Sequence, residues 1–128
     1  MDKAYKPYEE WFSQSDYDFE TAEAMFQTGR YVYCVFMCHL TIEKALKALV
    51  VKRLSKVPSK VHNLLYIVDE LKLEMPENYV KFVFRLNDVS IPTRYPQELR
   101  KLISVYNKAN TKLILDTTKE LQQWIKEQ

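Results

Sequence analysis

Glycine is nearly missing from this chain of 128 residues: Gly29 stands alone, beside five prolines and two cysteines. So little glycine leaves no material for a phosphate-cradling loop and little for tight hairpins. No GxxxxGK, HExxH, GxSxG or CxxC pattern occurs either, which removes the commonest sequence signatures of nucleotide hydrolysis, zinc peptidases, serine hydrolases and thiol redox chemistry. Two cysteines one helical turn apart, Cys34 and Cys38, do not make the disulfide framework of a small secreted domain, and a bridge within one turn has poor geometry. They share a helical face while His39 is turned about 100° away, and no second pair supplies the remaining ligands of a tetrahedral site. Buried free thiols are therefore expected, with no metal and no cofactor.

Long apolar runs are also absent. Tyr31 to Cys38 is apolar on all sides, but even extended through Ile42 it is shorter than the roughly 20 residues of a spanning helix and then meets Glu43 and Lys44. The start, MDKAYKPYEEWF, lacks the apolar centre of a signal peptide. A soluble cytoplasmic protein with no membrane contact is expected.

What the chain does contain is helical periodicity. Its length suits one domain, residues 1–128, and Ala, Leu, Lys, Glu and Gln crowd the periodic stretches, so the expected fold is all-α, an up-and-down bundle of four to five helices. The segment Tyr31 to Leu54 organises it. After an apolar beginning the pattern narrows to Ile42, Ala45, Leu46, Leu49 and Val50, as in a helix that crosses the middle of a bundle and leaves along its surface. A preceding helix is expected from Pro7, with Glu9 and Glu10 in its first turn and Trp11, Phe12, Ser15, Phe19, Ala22 and Phe26 facing inward. Gly29 falls where a left-handed residue would end that helix. Beyond an exposed connection, Leu54 to Val61, His62 or Asn63 is placed to cap a short helix with Leu64, Leu65, Ile67, Val68 and Leu71 inward. Pro76 restarts the helix at Glu77, running to Val89. Two prolines make Ser90 to Pro96, SIPTRYP, an expected loop. Gln97 to Ile103 forms a turn or two, and a last helix, capped by Ser104, should face inward with Tyr106, Ala109, Leu113, Thr117, Leu121 and Trp124.

Charge is unevenly spread although the net value is only +2. Residues 1–29 hold seven acids against two lysines, and residues 30–62 hold seven lysines and arginines against the single acid Glu43. Such a basic band can steer a polyanion or simply pair with the acidic helix before it. His39, Glu43 and Lys47 repeat every fourth residue. They read either as a surface pair stabilising the helix or as a polar strip inside a pocket or subunit interface. Arg94 and Tyr95 lie in the proline-flanked segment, where such residues often bind ligands, although Arg94 could equally anchor the segment to Asp88 or Glu98.

The stretches WFSQSDYDFETAEAMFQTGRY, CVFMCHLTIEKALKALVV, VHNLLYIV and IPTRYP resemble the HEPN domain family in order and spacing, over essentially the whole chain. That resemblance implies a helical bundle, commonly a homodimer. Such proteins are often encoded beside a minimal nucleotidyltransferase in bacteria and archaea, where the two can form a toxin–antitoxin pair. Many relatives cleave RNA with an arginine followed after four to six residues by a histidine. Here Arg30 and Arg53 precede His39 and His62 with eight residues between, and Arg94 is followed by Leu99, Arg100 and Lys101 at the corresponding places, so the cleaving motif is unmatched. The leading expectation is a non-catalytic subunit that binds a nucleotide, RNA or partner protein, with Glu43, Lys44, Lys47, His62, Arg94 and Tyr95 as the binding residues. The alternatives are a ribonuclease toxin using an atypical pair, His62 with Arg94, and a scaffold that only binds protein. On the first reading, Lys47 and Arg94 can both be replaced by alanine without unfolding the bundle.

Overall fold

The first helix, α1 (Tyr8–Gln27), starts immediately after Pro7, whose carbonyl accepts hydrogen bonds from the amides of Glu10 and Trp11. In this computed structural model, residues 5–94 and 97–128 are described, excluding the side chains of residues 90, 91 and 94. α1 ends through Gly29 at φ 77°: the Gly29 amide donates to Phe26 O and that of Arg30 to Met25 O, at 2.7 Å. This paired closure needs a left-handed residue, which glycine adopts without steric cost. The tight turn delivers the chain straight into α2 (Tyr31–Leu54), so the two helices lie against one another.

Fifteen of the 24 residues of α2 are buried. It packs against every other helix: α1 and α6 (Lys108–Lys126) most extensively, then α4 (Glu77–Arg94), α3 (Leu64–Leu71) and the short α5 (Leu99–Val105). At 1.5 Å per residue it is a rod roughly 36 Å long. Cys34, Ile42, Ala45, Leu46 and Leu49 are fully enclosed and join Phe19 of α1, Ile67 of α3, Val83 of α4 and Leu121 and Ile125 of α6 in one core. The described residues thus form an all-helical bundle of four long helices and two short ones, without strands.

One buried polar cluster links three helices. Ser15 Oγ donates to the Thr41 carbonyl at 2.6 Å and accepts from Gln122 Nε2 at 3.0 Å, tying α1, α2 and α6 together. Cys34 and Cys38 are buried free thiols. A hydrogen bond to Cys34, then burial, pushes the Cys38 thiol well above its ordinary range.

Asn63 caps α3, its side-chain oxygen accepting from the amides of Leu65 and Tyr66. The Leu64 amide donates to Asn87 Oδ1 at 2.7 Å, fastening the start of α3 to α4.

Two expectations need correction. The helix begun at Glu77 does not stop at Val89: it continues to Arg94 with Pro92 inside it. Proline removes one backbone donor and its ring crowds the carbonyl four residues back, but Pro92 lies in the final turn, where the wholly buried Thr93 donates its hydroxyl to Val89 O at 2.6 Å. The last helix is capped by Asn107 rather than Ser104, and its inward residues are Thr111, Leu115, Thr118, Leu121, Gln122 and Ile125. Leu113, expected inside, is 67% exposed. The buried stripe mixes apolar and polar residues, and Thr118 Oγ1 is satisfied within the helix, donating to Ile114 O at 2.7 Å.

Candidate functional site

Every fourth residue of α2 from His39 to Lys47 points to one side, and that side is covered rather than exposed. Glu43 lies at its centre. Its side chain is 5% exposed, with Lys47 Nζ 3.2 Å from Oε2 and His62 Nδ1 3.0 Å from Oε1. His39, entirely enclosed one turn earlier, places Nδ1 3.8 Å from Oε1. The ladder is therefore buried, and Glu43 and Lys47 within it form the i,i+4 pair of the first sequence reading.

His62 arrives from a different part of the chain, just before the α3 cap, and its side chain is 58% exposed. An ionised carboxylate can only accept, so the ring donates through Nδ1 and Nε2 carries its remaining hydrogen-bonding capacity. Glu43 thus fixes the tautomer and orientation of a half-exposed imidazole, an arrangement in which a histidine can bind an anionic oxygen or exchange a proton. Lys47 is 7% exposed and its charge is matched by Glu43. It is a buried structural cation, so its removal is no mild surface change.

Trp11, which the sequence reading assigned only to packing, belongs to this neighbourhood. Lys47 Nζ lies 5.9 Å from its ring centroid and Lys6 Nζ 4.1 Å. Its indole N–H is enclosed without an acceptor among the described residues. The one available signal was register: a short turn at Gly29 sets the first turns of α1 beside the later turns of α2.

Lys44 pairs with Asp18 of α1 at 2.9 Å and so braces the two helices. Arg94 is the final residue of α4, and its side chain, like the whole of Tyr95, lies outside the described residues. Among the described residues no group of three or more His, Cys, Asp or Glu gathers as a metal site, and no helix is long and apolar enough to cross a membrane.

These features define an all-helical bundle whose central helix carries a buried carboxylate, clasped by a lysine of its own helix and a histidine from the next connection. The HEPN domain model matches residues 8–128, and the chain belongs to that family. TT1696 from Thermus thermophilus has a similar solved structure, with a TM-score of 0.80 at 23% identity over 94% of this chain and 96% of that one. ST0689, an archaeal HEPN homologue, gives a TM-score of 0.76 at 20% identity, covering 95% and 97%. At such identities the likeness is one of fold. No curated protein sequence matches the chain.

Proposed function

We propose that this HEPN protein is a non-catalytic nucleotide-binding or partner-binding subunit that dimerises and works with a minimal nucleotidyltransferase, in a toxin–antitoxin setting. The observation that carries the nucleotide reading is the half-exposed His62 held by buried Glu43 beside Lys47 and Trp11. A phosphate oxygen would accept from Nε2–H of the imidazolium form, and the indole supplies an aromatic face for a base. Arg94 and Tyr95, from the sequence reading, are kept as proposed phosphate and base contacts.

The test is calorimetric titration of ATP and GTP into the wild-type protein and into His62→Ala and Arg94→Ala. Each lost charge-assisted contact, worth about 1.5–3 kcal/mol, weakens binding on the order of 10-fold or more. Unchanged affinity in both variants, or no heat from the wild type, overturns the nucleotide reading.

The same carboxylate-held imidazole favours a second reading, a ribonuclease in which His62 moves the proton of an attacking 2′-hydroxyl. Purified wild-type protein would then cleave RNA and His62→Ala would not; intact RNA with both removes it.

A further inference from the structure

On the side of the bundle formed by α3 and α4, an open cleft of about 640 Å³ is bounded by two aromatic rings, Tyr66 and Phe84. Both are slightly more than half exposed, at 52% and 53%, so their faces are open to a ligand. Leu65, Val68 and Leu73 also line the cleft, and they pack against the core, so its floor is apolar. Asp69 and Glu74 add two carboxylates, against one cation, Lys72, among the described residues that line it. Neither acid is within ion-pairing distance of a basic side chain among the described residues.

We infer that this cleft receives an arginine side chain presented by a protein partner. Three requirements of that side chain are met together. Its aliphatic stem needs apolar surface, which Leu65, Val68 and Leu73 supply. Its guanidinium plane needs an aromatic face, which Tyr66 or Phe84 supplies. Its charge needs an acceptor, which Asp69 and Glu74 supply. A nucleotide fits less well, because two carboxylates against one lysine repel phosphate while leaving the rings available. The inference names the partner chemistry for the partner-binding arm of the proposed function and rests on that arm.

The probe is N-acetyl-arginine amide, titrated into the isotope-labelled full chain and followed by amide shifts, with N-acetyl-citrulline amide as its uncharged analogue. Saturable shifts are expected at residues 63–74 and around Phe84, with citrulline binding weaker by about five-fold or more. Phe84→Leu keeps an apolar side chain but removes the π face, and Asp69→Asn with Glu74→Gln removes the charge. All three positions are solvent-accessible and each variant should weaken arginine binding while leaving the rest of the spectrum in place. Equal binding of citrulline, shifts scattered over surface carboxylates, or unaltered affinity in both variants overturns the inference. ATP titrated into the same sample separates the readings. Shifts near Glu43 and His62 without any arginine response defeat only the cleft; an arginine response without any ATP response defeats only the nucleotide site. ATP shifts confined to the cleft overturn the arginine assignment.

Discussion

Replacing Lys47 by methionine isolates the role of the buried ion pair, because methionine keeps the apolar stem and deletes the charge. Glu43 and Lys47 side chains are 5% and 7% exposed and 3.2 Å apart. Deleting one partner of a buried pair costs about 3–5 kcal/mol, since the other charge is left in a low-dielectric site. His62 still faces Glu43 at 3.0 Å, so the loss should fall near the lower end, about 3 kcal/mol, or roughly 10 °C in melting temperature for a chain of this size. The double replacement Glu43→Leu with Lys47→Met removes both charges and should recover most of that loss, to within about 1 kcal/mol of wild type. Urea unfolding followed by circular dichroism at 222 nm gives all the required free energies. Raising salt should change the single-variant penalty little, because enclosed charges are poorly screened. A Lys47→Met variant within about 0.5 kcal/mol of wild type, as for a surface substitution, or a double variant less stable than the single, would refute the reasoning.

Two further outcomes follow from the fold. Gly29→Ala should destabilise by about 1–2 kcal/mol in the same urea assay, and backbone conformation alone would be responsible, since a Cβ at this position meets no atom within 4 Å while φ is +77°. Native protein at pH 8 should show no thiols to a chromogenic disulfide reagent and two after denaturation, because Cys34 and Cys38 are enclosed and Cys38 is held protonated by its hydrogen bond to Cys34 and by burial; rapid native reaction would contradict that burial.

How far the sequence could be read depended on whether one element decided its own neighbours. α2 was legible because its apolar residues outnumber what any single face can hold, which places a helix inside whatever surrounds it. Gly29 was legible because a lone glycine between two periodic stretches has few other uses. α6 was not, since Leu113 and Leu115 head rival stripes and only the tertiary contacts choose between them. α4 overran its expected end for a similar reason: Pro92 falls in its last turn, where the neighbouring Thr93 is buried. At the site, the spacing of His39, Glu43 and Lys47 showed which residues share a side but not whether anything covers it. The covering comes from α1 and from His62, through contacts distant in sequence. Trp11 was missed because an aromatic at an inward position reads as core, and the cations beside its ring come from outside its own helix.

Native-state hydrogen exchange tests most directly the claim that α2 is the enclosed rod around which the other helices assemble. Amides of residues 34–51 should exchange only through global unfolding, with free energies equal to that from urea, while those of α5, none of whose residues is buried, exchange through local opening. Exchange of 34–51 as fast as that of α5 would contradict the account.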